Sequence, residues 1–503
     1  MIKSAFLKTT LCLLCLVAGM LGAAGDAQVV GGVDVSRWRG FNLLEKFTLR
    51  QNSPYLEEDF RWISELGFNY VRLPVDYRCY VETNDWLKFR EDILKHFDQA
   101  IAFGDKYNIH VSINLHRAPG FCINPPAEPT NLWTDDTALD AFVAHWVMFA
   151  KRYKGIPSAR LSFNLLNEPT RHTREQYLKV FSRAIEAIQA VDPKRLIIVD
   201  GMNVGSQPVK EFLRYPNLVQ ATRGYHPATI SHYRASWMQG SDQWPTPSWP
   251  PVPVNGMLYG PNKPEYRSAM VFQGRFPAGT KLMLGVQQLS VKARLEAKAD
   301  GATLGDLVCD PRTQSQDWKV SPESRQYTYH EPVKPLTWTV SLPKESREIA
   351  VENVDGDWIR LREVALVWPG GRTNSVRPDS TWGRKQTAIQ VDENGRFLPP
   401  PGTQSDQVLR EYLKPWVEIQ AAGQAVFVGE WGCFNRTPHP VALAWMKDWL
   451  ELWKQHRMGW ALWNFRGSFG ILDSGRNDVQ YEDFHGHKLD RQMLELLQQY
   501  LKY

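Results

Sequence analysis

Two glutamates close apolar runs in the same way. In LSFNLLNEPT, residues 161–170, the buried-strand pattern of Leu161, Phe163, Leu165 and Leu166 runs into Asn167, Glu168 and Pro169. In AVFVGEWG, residues 425–432, an equally apolar run ends in Glu430. A carboxylate at the mouth of a buried strand is costly unless it has a task. Pro169 cannot donate a ladder hydrogen bond, so the strand must stop there. Two converging carboxylates in different protonation states are what hydrolysis of a glycosidic bond requires. One protonates the leaving oxygen; the other, ionised, attacks the anomeric carbon. Taken singly, each glutamate reads more plainly as a salt-bridged residue at a strand end. The repeated slot is what points to chemistry.

Other apolar runs end in polar or aromatic groups that suit the same chemistry. Arg72 lies inside the otherwise apolar YVRLPV, and a buried arginine needs a carboxylate; Glu430 is a candidate partner. His116 ends a third run, Asn167 precedes Glu168, Tyr225 ends a sixth and Trp463 an eighth. Asn167 could bond a sugar hydroxyl beside the reacting carbon, and Trp463 could floor the sugar site.

The elements that would position these groups alternate. Strands are expected at residues 39–44, 70–73, 110–116, 161–166, 195–201, 218–227, 425–432 and 458–465. Helices with apolar residues three and four apart are expected at 55–67, 90–107, 139–153, 176–190, 209–213, 407–422, 440–456 and 490–501. Eight strand–helix units predict a closed parallel (β/α)8 TIM barrel, with chemistry at the carboxyl ends of its strands. No Gly-rich phosphate loop follows the first strand, which argues against a dinucleotide-binding sheet.

The alternation breaks between the sixth and seventh strands. Residues 236–264 are rich in Pro, Gly and Trp and read as a rim loop. Residues 265–400 hold short β-type runs such as KLMLGVQQL and IRLREVALVW, punctuated by Gly, Pro, Asp and Ser. They predict an inserted all-β sandwich. The barrel is thus expected in two parts, residues 28–235 and 401–503. The insertion leaves at the carboxyl end of a strand, so it is expected to wall one end of a cleft, with Trp237, Trp244 and Trp249 on the rim. Trp338, Trp358 and Trp368 read as sandwich core, with stacking on glycan the alternative.

Composition bounds the function. The 503 residues are 43% hydrophobic, enough for a sizeable core and more than one domain. A net charge of +5 with dispersed basic residues argues against nucleic acid as a partner. Residues 1–27 pair Lys3 and Lys8 with an apolar run and small residues, the pattern of a secretory leader cut after Ala27. The chain is therefore expected outside the cell or in the periplasm, with no membrane association after leader removal. Cys79, Cys122, Cys309 and Cys433 then remain, in a compartment that permits disulfides. Their spacing does not suggest zinc, and no metal or cofactor is expected.

The motifs NLLNEP, VFVGEWG, GFNYVRLPV, INLHRAPG and GWALWNFRGSFGILDSGR resemble those of glycoside hydrolase family 5, the cellulase-like family of clan A. The resemblance covers residues 31–232 and 425–503. It implies Glu168 as acid/base, Glu430 as nucleophile and net retention, with sugar-binding roles for Arg72, His116, Asn167, Tyr225 and Trp463. The family's usual His-x-Tyr at the sixth strand is here Arg223-Gly224-Tyr225, with His226 one residue further on. The usual His place thus falls to His226, to His232 or to no residue. The inserted segment resembles a carbohydrate-binding β-sandwich in texture. The activity implied is that of a monomeric retaining β-glycosidase on a polysaccharide or oligosaccharide, a β-glucan first. Mannanase, xylanase, β-1,3-glucanase or transglycosylase action, or glycan binding with weak turnover, are its rivals.

Overall fold

The computed structural model describes residues 28–252, 254–399 and 406–502. The leader expected over residues 1–27 lies outside the described residues, as does the boundary expected at residue 400. Eight strands form one parallel ladder: β1 (Arg39–Asn42), β2 (Tyr70–Asp76), β3 (His110–Ala118), β4 (Leu161–Asn164), β5 (Leu196–Asp200), β6 (Leu218–Gly224), β7 (Ala425–Trp431) and β8 (Gly459–Leu462). Each pairs with the next, and β8 pairs with β1, so the sheet closes into a TIM barrel. Both faces are covered, which is why β2, β6 and β7 are buried at every residue instead of alternating.

The helices of eight or more residues are α1 (Glu57–Glu65), α2 (Glu91–Lys106), α3 (Asp136–Arg152), α4 (Arg174–Val191), α5 (Gln407–Ala421), α6 (His439–Gln455) and α7 (Arg491–Gln498) among the described residues. Their ends follow from sequence. Asp135 caps α3 by accepting from Thr137 and Ala138 N–H groups, and Lys151 and Arg152 complement its carboxyl end. Thr173 and Gln176 form a capping box on α4, which fixes where the loop after Glu168 must finish. After β5 the connection holds only a helical turn, Met202–Gly205, and a short 3-10 turn, Lys210–Arg214.

Several strands end two or three residues earlier than expected, β6 at Gly224 and β8 at Leu462 among them, and β4 is the one that matters for the site. β4 ends at Asn164, two residues early, and the chain then exchanges ladder partners. Leu165 N–H donates to Ile198 O on one neighbour (3.0 Å) and Asn167 N–H to Leu115 O on the other (3.0 Å). Glu168 follows in the left-handed region, φ +48°, a backbone state uncommon for a non-glycine residue.

Thirteen strands between Met257 and Leu398 form a second unit of two largely antiparallel sheets. Phe272, Leu284, Leu295, Val351 and Leu361 contribute to one apolar cluster drawn from both sheets. Trp368 is 6% exposed within that cluster, Trp338 packs against it, and Trp358 is 5% exposed in a smaller cluster with Met257 and Tyr259. These tryptophans are packing residues. Trp237 is exposed, and Trp244 and Trp249 are half-buried. Cys79, Cys122 and Cys309 are free thiols, and the Cys433 thiol donates to Ile230 O (3.4 Å). No helix among the described residues is long and apolar enough to cross a membrane.

Glu45, three residues beyond β1, is a half-buried residue whose Oε2 is sealed from solvent and meets no donor. Burial, and then the nearby Asp59 charge, push its carboxyl up to about 7. The folded state therefore binds a proton that the unfolded chain releases near pH 4.5. The stabilisation is complete below that pH and is lost as pH rises to about 7, at about 1.4 kcal/mol per unit. Glu45→Gln is expected to leave the melting temperature unchanged at pH 4.5 and to raise it at pH 8. Parallel melting curves for variant and wild type across that range would remove Glu45 from the account.

Candidate active site

The carboxyl ends of the barrel strands carry a continuous polar network. Asn42 ends β1, Arg72 lies in β2, Asn164 ends β4, Asp200 ends β5, Arg223 lies in β6 and Glu430 in β7. Arg72 is buried and uses its whole fork. Its Nη1 donates to Glu430 Oε1 and to Asn42 Oδ1 (2.9 Å), its Nε to Asn164 Oδ1 (2.7 Å) and its Nη2 to Asn167 Oδ1 (2.9 Å). Glu430 is thereby fixed in one rotamer, and Tyr225 OH donates to its other oxygen at 3.4 Å. Burial and the two glutamates hold the Tyr225 hydroxyl well above its usual range, so it remains a donor.

Glu168 stands in a different setting. Its backbone N–H donates to Asp200 Oδ2 (2.9 Å), and its Oε1 accepts from Arg223 Nε (3.2 Å). Burial first, and the Glu430 charge second, push its carboxyl up to about 7, although 14% of the side chain still meets solvent. Arg223 pulls in the opposite direction without cancelling them. At neutral pH Glu168 can therefore carry a proton beside a glutamate held by an arginine. This is the division of labour that an acid and a nucleophile need.

His116 is neutral: burial, Arg72 and Arg223 all lower its pKa well below the usual value. Asn167 Oδ1 is taken by Arg72 and Arg223, so its amide donates, toward His116 Nε2 at 3.2 Å. Nδ1 then carries the imidazole hydrogen, 3.9 Å from Glu430 Oε1 and without another partner. It is a spare donor on the Glu430 side of the ring. The Trp463 ring lies 5.4 Å from the His116 ring and 5.5 Å from that of Phe47.

The structure thus gathers Glu168, Glu430, Arg72, His116, Asn167, Tyr225 and Trp463. His226 stands apart in character, its ring stacked on Tyr412 of α5 (4.9 Å, 10°). His232 packs against Trp237 (6.1 Å). Arg223 is the side chain that touches both glutamates, and it escaped the sequence reading as a site residue. So did Asp200, Asn42 and Asn164. A signal existed: Asp200 ends RLIIVDG in the same slot as Glu168 and Glu430, and Arg223 is buried in an apolar strand as Arg72 is.

A parallel-stranded barrel with paired carboxylates at its carboxyl rim is an arrangement suited to glycoside hydrolysis. Residues 31–244 match the family model Cellulase (glycosyl hydrolase family 5). That stretch, less than half of the chain, is similar to the family. It is 28% identical over 188 residues to Endoglucanase C of Acetivibrio thermocellus, covering 37% of this chain and 54% of that protein. It is 24% identical over 213 residues to Cellodextrinase A of Ruminococcus flavefaciens, covering 42% and 62%. The chain spans about half the length of the curated relatives it matches. Among solved structures, one titled as a glycoside hydrolase superposes with a TM-score of 0.59 at 28% identity, covering 92% of this chain and 99% of that one. Cel5A of Thermotoga maritima with cellobiose gives 0.52 at 17% identity, covering 92% and 97%, a likeness of fold alone.

Proposed function

We propose that this chain is a secreted retaining β-glycosidase that cleaves a β-linked glucan by double displacement. The observation that carries the reading is the asymmetry of the carboxylate pair. Glu430 is fixed by Arg72 and Tyr225, whereas Glu168 is raised to about 7 beside it. In the first step a Glu430 oxygen attacks the anomeric carbon. The glycosidic C–O bond breaks, and the leaving oxygen takes the proton from Glu168. In the second step a water attacks the same carbon and gives its proton to Glu168, and the ester bond to Glu430 breaks with its electron pair returning to the carboxylate. The His116 Nδ1 hydrogen would bond a hydroxyl of the bound sugar, and Trp463 would stack on its apolar face. Contact of one guanidinium with both glutamates, at 3.2 Å and 3.5 Å, suits the close carboxyl spacing of retaining enzymes, about 5–5.5 Å, better than the 6.5–9.5 Å of inverting ones. The names of the curated relatives, an endoglucanase and a cellodextrinase, support β-glucan as the substrate class.

The test is reducing-sugar release from carboxymethyl-cellulose, mixed-linkage glucan, laminarin, mannan and xylan, with the first-formed product anomer followed by proton NMR. Release from a β-glucan with the β-anomer appearing first is expected. An α-anomer first would overturn retention, and release from mannan or xylan alone would overturn the substrate class.

A further inference from the structure

Arg223 occupies its place by local design. β6 and β7 run in register from Val219 opposite Ala425 to Thr222 opposite Val428, and then Arg223 faces Glu430. The extra residue is Gly429, a bulge that turns Arg223 and Glu430 toward one another. A Cβ on Gly429 would come within 3.0 Å of Arg223 Nη1, and one on Gly205 within 3.0 Å of its Cγ. A Cβ at either position would require the Arg223 side chain to give by a few tenths of an ångström. Asp200, fully buried, accepts from Arg223 Nη2 and anchors that end. From this anchor Arg223 donates to Asn167 Oδ1 (2.8 Å), to Thr222 O (3.2 Å) and to Glu168 Oε1 (3.2 Å), and Nη2 lies 3.5 Å from Glu430 Oε1.

The charges of the site change through the reaction proposed above. In the resting site Arg72 and Arg223 face Asp200 and ionised Glu430, while Glu168 is neutral. In the glycosyl-enzyme Glu430 is an uncharged ester, and Glu168 has given its proton to the leaving group. Two cations again face two anions, but the second anion is now Glu168. The negative charge has moved from one side of Arg223 to the other. An arginine cannot be deprotonated here, so its charge persists in both states. We propose that Arg223, anchored by Asp200, is a positioning residue that balances Glu430 in the first half-reaction and holds Glu168 ionised as the base in the second. The proposal rests on the retaining reading of the site.

It predicts that losing Arg223 harms the second step more than the first. The test uses the full chain, wild type, Arg223→Met, Arg223→Lys and Asp200→Asn, with 2,4-dinitrophenyl β-cellobioside as the substrate. In Arg223→Met, release of one equivalent of dinitrophenolate should be fast and turnover afterwards slow. kcat and KM should fall together by about 10²-fold, leaving kcat/KM close to wild type. On a substrate that needs the acid, the alkaline limb of kcat/KM should move up by about one pH unit, because Glu168 loses a cation that lowers its pKa. Arg223→Lys, which keeps the charge but not the fork, should show the burst without the shift. A Met variant with the wild-type alkaline limb and no burst would reduce Arg223 to a structural residue. If that chain does not fold, Asp200→Asn decides: a smaller burst is expected, with the alkaline limb moving down because Glu168 loses an anion that raises its pKa, and the absence of any burst would overturn the proposal. A wild-type protein inactive on the aryl glycoside and on every polymer would overturn the glycosidase reading instead.

Discussion

Glu430→Ala is expected to lose at least about 10⁴-fold in kcat on polysaccharide, and Glu168→Ala about 10²–10⁴-fold. The two losses differ in how they are restored. Without Glu430, azide can enter from the nucleophile's side and form an α-glycosyl azide directly. Without Glu168, an aryl glycoside with a good leaving group still forms the Glu430 ester, since that departure needs no acid. Azide then intercepts the ester and gives a β-glycosyl azide. The assignment follows from the surroundings of each group: Glu430 is held by Arg72 and Tyr225, and Glu168 is raised to about 7 by burial and by Glu430 itself. Azides of the same configuration from both variants, or the reverse assignment, would sink it.

Arg72→Leu is expected to cost about 3–5 kcal/mol in stability as well as abolishing activity. The side chain is fully buried, and its removal leaves Glu430 without its closer ion pair and the Asn42 and Asn164 carbonyls without a donor. Each stranded group loses water on folding and regains little. Denaturant unfolding of variant and wild type checks this. A difference under about 1 kcal/mol would mean that water or a rearranged asparagine replaces the guanidinium. The substitution Glu430→Gln provides the contrast, because it removes the charge and keeps an acceptor for Arg72.

The barrel was legible because each strand announces itself by an apolar run, and most of them also by the polar or aromatic residue read at their ends. Glu168 and Glu430 were found through that slot, and the Arg72–Glu430 pair through the rule that a buried cation needs an anion. What stayed hidden depends on register. Arg223 faces Glu430 only because Gly429 is a bulge, and nothing in VFVGEWG distinguishes a bulge glycine from a ladder glycine. The left-handed Glu168 was invisible for the same reason: it follows from the exchange of ladder partners after Asn164. In the second unit, Ala302–Cys309 was missed because it is mostly exposed and lacks clean alternation. The strands Trp318–Val320 and His330–Pro332 are too short to show a period.

The pairing of β6 with β7 has a consequence for how the molecule is made. Val219 and Ala425 are neighbours across a ladder, yet about 200 residues separate them along the chain. A ribosome adding about 5–20 residues per second takes some 10–40 seconds to cover that distance. Throughout that interval the six strands already synthesised end in an unpaired edge, Leu218–Gly224, with its backbone amides and carbonyls unmet. The six-stranded nascent sheet therefore keeps an open edge, and closure waits on the residues from Ala425 onward.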